Sequence, residues 1–289
     1  MSECSMEPTP HTTYAGACDC HMHVYDAKFP MLPNLAWVPP HRPVSAYREV
    51  QQALGLRCAV VVQPSAYGLD HSCTLEAIAH LASLSRHGDH EGQACGIAAV
   101  TADVSDAELA RLHAGGIRGV RFLMTAAQPL LGWETLAPMA ARLHSLGWLV
   151  NLQFDGRGMP EREDLLKRLP CKLVIDHIGK FLEPVRPEHA SFQSLLRLLD
   201  TGRVWVKLSA PYESSKTGAP AYEDVSLLAR TLAEKFPERC LWASNWPHPG
   251  QAEQPSTLAM YALLFDWARS NAARRKILVD NPAEVYGFV

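Results

Sequence analysis

The chain has 289 residues, 47 % of them hydrophobic and 20 % charged, with a formal net charge of −3. That length suits one barrel-sized domain of about 250 residues and ordinary globular composition. No basic excess points to nucleic acid or to an acidic membrane surface as a partner, and no apolar run reaches the roughly 20 residues that a spanning helix needs.

Residues 1–16 read as a polar N-terminal arm without the apolar segment of a secretion signal. From there, short β-rich apolar runs alternate with longer amphipathic ones. Strands are predicted at 17–24, 58–63, 96–100, 119–123, 148–154, 172–177, 204–209 and 240–244. Helices are predicted at 45–54, 74–85, 105–114, 134–146, 162–169, 192–199, 224–235 and 256–269, where apolar residues recur at helical spacing. Gly115-Gly116 and Gly147 punctuate two helix-to-strand junctions. Eight β units alternating with eight α units imply a (β/α)8 TIM barrel, one domain over 17–289. An open doubly wound sheet would carry a Gly-rich phosphate loop after its first strand. Here that place holds His21-Met22-His23. The Pro-rich stretch 29–43 is too long for a simple connection and reads as a lid or pocket wall. The 8 cysteines are scattered, several in or beside strands (Cys58, Cys95, Cys171), which reads as buried thiols of a cytoplasmic protein. Nothing in the pattern specifies an oligomeric state.

Alternate residues of a strand face opposite sides. In the first strand Asp19, His21 and His23 share one face, expected to point into the barrel. Cys18, Cys20, Met22 and Val24 share the other, expected under the helices, which makes Cys18 and Cys20 poor metal ligands. The same parity sends Gln63, Ser65, Arg121, Gln153, His177, Lys207, Ser209 and Asn245 inward near the carboxyl ends of their strands, where barrel active sites lie. His248 follows three residues beyond Asn245 and lines the mouth or caps a loop, whereas His87 and His90 read as surface residues.

These segments resemble the amidohydrolase superfamily, in particular the branch containing 2-pyrone-4,6-dicarboxylate lactonase. The matching pieces are Asp19-Cys20-His21-Met22-His23, Gly116-Ile117-Arg118-Gly119-Val120-Arg121-Phe122, Ile175-Asp176-His177-Ile178-Gly179, Trp246-Pro247-His248-Pro249 and Asn281-Pro282-Ala283. The resemblance implies hydrolysis of a lactone ring by activated water. His21, His23 and His177 would polarise the carbonyl and stabilise the oxyanion, and Arg121 would bind the substrate. Gln153, Lys180, Lys207, Tyr212 and His248 complete the expected substrate-binding set. The family's general-base aspartate is replaced by Asn245, an amide that cannot take a proton at neutral pH. The preferred reading is an introduced substitution that stops turnover so that a ligand can be trapped. The other is a native amide, with a different base or a different activity. Lys180 and Tyr212 stand where further arginines are common, so the two-carboxylate clamp is depleted and a lactone with one carboxylate, or a sugar-acid lactone, fits better.

No cofactor is expected, because the branch includes metal-free enzymes. A mononuclear zinc on His21, His23 and His177 is the alternative. Two metals are disfavoured, since strand four offers Arg121 in place of a bridging lysine and strand five Gln153 in place of histidine. The rival functions are a lactone isomerase or decarboxylase on the same scaffold, and a non-catalytic ligand-binding barrel.

Overall fold

The structure, a computed structural model, describes residues 14–35, 37–84 and 93–288. Residues 1–13 of the arm, with His87 and His90, lie outside the described residues. Eight parallel strands form one sheet in sequence order: β1 Cys18–Met22, β2 Cys58–Val62, β3 Gln93–Ala98, β4 Ile117–Leu123, β5 Leu149–Gln153, β6 Leu173–Ile175, β7 Val204–Leu208 and β8 Cys240–Trp242. Past the end of β8 the barrel closes on β1. His23 N–H donates to the Trp246 carbonyl at 2.8 Å, and Asn245 N–H to the His21 carbonyl at 2.9 Å. The helices α1 Val44–Ala53, α2 Ser72–Ser83, α3 Asp106–Ala114, α4 Trp133–Ser145, α5 Met159–Lys167, α6 Ala190–Leu199, α7 Glu223–Lys235 and α8 Thr257–Trp267 follow their strands. All eight α units expected from periodicity are present, with ends shifted by a few residues, as fraying termini allow. Gly116 and Gly147 take the left-handed conformation that ends a helix before a strand.

The chain continues through α9 Asn271–Arg275, a π turn at Lys276–Asp280 and α10 Asn281–Tyr286. The amide of Asn281 donates to the carbonyls of Pro237 and Cys240 at 2.8 and 2.7 Å, tying α10 to the start of β8. Val285 and Tyr286 then pack with Cys18, Cys20, Cys58, Val60, Cys95, Ile97, Leu149, Val174, Trp205 and Leu241. This inner layer fills the barrel bottom with small thiols and branched aliphatics and forces polar groups toward the carboxyl ends.

The inner layer corrects the face assignment of β1. Cys18 and Cys20 belong to the barrel interior, not to the layer under the helices. Asp19 points outward, accepting from Tyr47 of α1 at 3.2 Å and from the Ser244 amide at 2.9 Å. The cause is a bulge: Asp19 pairs with Ala59 and Met22 with Val61, so three residues of β1 advance against two of β2. One extra residue inverts the alternation, so His21 and His23 still face inward as expected. All seven described cysteines are free and buried, and no described helix is long and apolar enough to cross a membrane.

Candidate active site

A cavity of about 400 Å³ opens at the carboxyl ends of the strands, lined by His23, Arg121, Gln153, His177, Glu213 and Asn245 among others. Its outer wall includes Leu35, Trp37 and Pro39, so the Pro-rich stretch after β1 is the wall its length suggested. The loops at the mouth are held in uncommon backbone. His177, Ile178 and Lys180 after β6, Ala210 after β7, and Asn245 and His248 after β8 all have positive φ. Each costs on the order of 1–3 kcal/mol and persists only where packing enforces it. Close loop packing is part of that enforcement. Gly156 donates to the Lys180 carbonyl at 3.1 Å, and a Cβ on Gly156 would sit 2.3 Å from the Gly179 carbonyl.

Beneath the cavity lies a polar core whose protons can be placed one by one. The Val62 carbonyl accepts from His23 Nδ1 at 2.7 Å, so that nitrogen carries the hydrogen and His23 Nε2 is a bare acceptor. His21 Nε2, 3.2 Å away, must therefore donate to it. His21 Nδ1 is then an acceptor and receives Lys207 Nζ at 3.1 Å. The other two Lys207 donors reach Asn151 Oδ1 at 2.6 Å and Asp176 Oδ1 at 3.0 Å. Asn151 Nδ2 in turn donates to Asp176 Oδ2 at 2.8 Å. The 3.3 Å approach of His21 Nδ1 to Asp176 Oδ1 sets acceptor against acceptor; both meet the same ammonium.

Two sequence expectations change here, and two further residues enter. Lys207 is wholly buried, and its three donors are spent on protein groups, so none is left for a substrate. His21 lies behind His23 and gives its N–H to it. Asp176 and Asn151, not singled out from sequence, hold the core together. The arrangement also bears on a metal. His21, Asp176 and His177 bring donor atoms within 4.8 Å of one another. However, the Lys207 ammonium already compensates the carboxylate, and the hydrogen on His21 Nε2 removes the lone pair that nitrogen would offer. In this arrangement the Lys207 ammonium and the His21 hydrogen compete with a cation for the same atoms.

His177 is the histidine with a free working nitrogen. Ser209 Oγ lies 2.8 Å from its Nδ1, while Nε2 faces Glu213 Oε1 at 3.9 Å, beyond hydrogen-bond length. A serine donating to Nδ1 leaves Nε2–H directed at the carboxylate and the cavity. Arg121 Nη2 donates to Gln153 Oε1 at 3.1 Å, and Gln153 Nε2 to Thr125 Oγ1 at 3.3 Å. Gln153 thus lines the cavity chiefly as a brace for Arg121. Gln63 does not enter the cavity: its amide serves Gly68, Asp70 and Thr74 in the loop after β2. Ser65 is exposed and borders the cavity.

The β8 corner contains a second assignable chain. Asn245 Nδ2 donates to Tyr212 Oη and to Glu213 Oε1, both at 3.0 Å. Tyr212 Oη then donates to His248 Nδ1 at 2.9 Å, and His248 Nε2 to Thr257 Oγ1 at 2.9 Å. Tyr212 and His248 therefore orient Asn245 and are outside the cavity lining, contrary to their expected substrate contact. Lys180 is also committed, pairing with the other Glu213 oxygen. Glu213 itself escaped sequence reasoning, because it sits on the 3₁₀ turn Pro211–Glu213, where no periodicity marks which residues face inward.

Burial holds the site histidines neutral. His21 and His177 lie well below the usual imidazole range, His23 falls to about 3 and His248 to about 4. Desolvation is the largest cause in each case, seconded by the Lys207 charge at His21 and the Arg121 charge at His23. Their stabilising contribution is therefore complete above the unfolded value of about 6.5 and is lost as pH falls from there. Each should remove roughly 1 kcal/mol of stability per pH unit below about 6. Asp19 acts oppositely. Burial raises its carboxyl from 3.8 to about 6, so protonation between those values returns stability to the fold. Four histidines outweigh one aspartate, and the melting midpoint should drop between pH 7.5 and 5.5. A midpoint that holds or rises contradicts neutral burial.

The sequence comparison places the match over nearly the whole barrel, with the Amidohydrolase family model covering residues 18–288. The chain belongs to the amidohydrolase family. A D-galactarolactone isomerase from Agrobacterium fabrum is 30 % identical over 94 % of this chain and 91 % of its own. A 2-pyrone-4,6-dicarboxylate hydrolase from Comamonas testosteroni is 32 % identical over 94 % and 90 %. A 4-sulfomuconolactone hydrolase from Hydrogenophaga intermedia is 31 % identical over 95 % and 89 %. An apo crystal structure from Agrobacterium tumefaciens superposes with a TM-score of 0.84 at 30 % identity, covering 96 % of this chain and 97 % of that one. This amidohydrolase thus shares its barrel with relatives named for both ring opening and isomerisation of lactones.

Proposed function

We propose that this amidohydrolase opens the ring of a small lactone bearing one carboxylate, by water attack and without a metal. The observation that carries this is Arg121. Its guanidinium lines the cavity, its Nε is buried without a hydrogen-bond partner, and no carboxylate among the described residues lies within ion-pair distance of it. A desolvated cation without a direct ion-pair contact is a site for an anionic group. Relatives named for hydrolysis of a sulfomuconolactone and a pyrone dicarboxylate support an anionic ring substrate. Lys180 and Lys207 are engaged by Glu213 and Asp176, which supports one carboxylate over two.

A second cavity of about 260 Å³ adjoins the first and shares Ser65, Arg121, Leu123 and Ala126 with it. Leu32, Pro129 and Leu131 give it an apolar wall, which supports an apolar arm on the substrate beside the carboxylate. His177 Nε2–H would polarise the ring carbonyl, and the loop wall would exclude bulk water. Across a panel of lactones, Arg121→Met is expected to raise KM for carboxylated rings by about 10- to 100-fold, the loss of one charge-assisted contact. Neutral lactones should change little. An equal effect on both classes would sink the anion-binding role, and no ring opening of any lactone by the wild type would sink the hydrolase reading.

A further inference from the structure

The lactone-hydrolase reading leaves one step without an agent. Water attack needs a proton acceptor, and Asn245 occupies the place where the resembled family has an aspartate. The corner around Asn245 is built for an amide. Both of its N–H groups are used, on Tyr212 Oη and Glu213 Oε1, each at 3.0 Å. Turning the amide over would set its oxygen against the Glu213 carboxylate, and an aspartate would place two carboxylates in the same contact, which like-charge repulsion opposes. Glu213 is itself a carboxylate of the cavity wall. Asn245 and Lys180 hold its two oxygens from opposite sides. Its Oε1 stands 3.9 Å from His177 Nε2. That gap is too long for a direct hydrogen bond but lets one water oxygen touch both groups at hydrogen-bond length.

We infer that Glu213 is the general base of this enzyme, the carboxylate having moved from the end of β8 to the turn after β7, with Asn245 as its amide partner. Resting on the hydrolase reading, the step is balanced as follows. Glu213 takes one proton from water as the water oxygen bonds to the lactone carbonyl carbon, while His177 Nε2–H stabilises the oxyanion. Collapse breaks the acyl–oxygen bond of the ring, and the proton on Glu213 passes to the departing ring oxygen. One water is consumed and a hydroxy acid is released.

The test is a four-enzyme comparison on a lactone that the wild type opens: wild type, Glu213→Gln, Asn245→Asp, and the double variant Glu213→Gln/Asn245→Asp. Glutamine keeps the shape and the Asn245 contact region, and the melting midpoint of each variant reports folding. Glu213→Gln is expected to lose about 100- to 10,000-fold in kcat with KM within a few-fold, the range for removing a general base. Asn245→Asp alone is expected to lower kcat, because it removes the Nδ2 donor to Glu213 Oε1 and sets a second carboxylate against it. The double variant, which exchanges carboxylate and amide, is expected to recover at least tenfold over Glu213→Gln, which a merely structural role for Glu213 would not produce. A folded Glu213→Gln with kcat within threefold of wild type overturns the assignment and leaves the hydrolase reading standing. So does a loss that appears only in KM, or a double variant no faster than Glu213→Gln. A wild type inactive on every lactone offered overturns the hydrolase reading and the role of Glu213 in it together.

Discussion

Lys207→Met is expected to remove about 3–5 kcal/mol of unfolding free energy, the cost of leaving a buried charge without its partner. Lys207 is the only cation that both Asp176 Oδ1 and His21 Nδ1 meet at about 3 Å among the described residues, and all three groups are fully buried. Methionine matches the length of the stem but supplies no donor. Among the described residues, the Asp176 side chain would then keep only the Asn151 amide as a donor, and His21 Nδ1 would lose its hydrogen bond. Thermal unfolding should shift down by roughly 6–20 °C, taking about 2–4 °C per kcal/mol for a chain of this size. Adding Asp176→Asn to Lys207→Met should restore part of the loss, because the stranded charge is gone. A loss below about 1 kcal/mol would mean that Asp176 finds another cation or a proton, and the assigned chain from Val62 to Lys207 would have to be redrawn.

His177→Asn is expected to lower kcat by about 100- to 1000-fold with KM within threefold, the signature of a donor used in the transition state. Asparagine is the appropriate replacement because position 177 has φ 54, a region that asparagine enters more readily than most residues. The shorter side chain cannot bring a donor to the place of His177 Nε2. Lactone opening followed by steady-state kinetics reads the effect. A rise in KM with unchanged kcat would make His177 a binding group only.

The two variants probe parts of the site that were unequally legible in the sequence. Eight alternating units and the polar residues at strand ends were sufficient for the barrel and for the convergence of His23, Arg121, His177 and Asn245 on one cavity. Alternation then failed at two local events. The bulge in β1 turned Asp19 out and Cys18 and Cys20 in. At β6 the strand ends at Ile175, and the positive φ of His177 breaks the alternation, so Asp176 and His177 both reach the site. Neither event has a residue-type signature such as glycine. Glu213 lies on a turn, where parity has no meaning, and its role shows only once Asn245, Lys180 and His177 surround it. The C-terminal plug was hidden for another reason. It is made of short helices joined by a π turn, with Pro282 inside, so no window carries a clean helical period.

The sequence alone made an introduced substitution the preferred account of Asn245. The hydrogen bonds around it support the other account, a native amide paired with a relocated carboxylate. The same barrel also carries a relative named as an isomerase, and the two chemistries part at one atom. Hydrolysis adds a solvent oxygen to the product, whereas isomerisation moves the ring without one. The direct measurement is mass spectrometry of the product formed in ¹⁸O-labelled water over a single turnover. The account predicts one labelled oxygen in the new carboxylate of a ring-opened hydroxy acid. A product with the mass of the starting lactone and no label would contradict it.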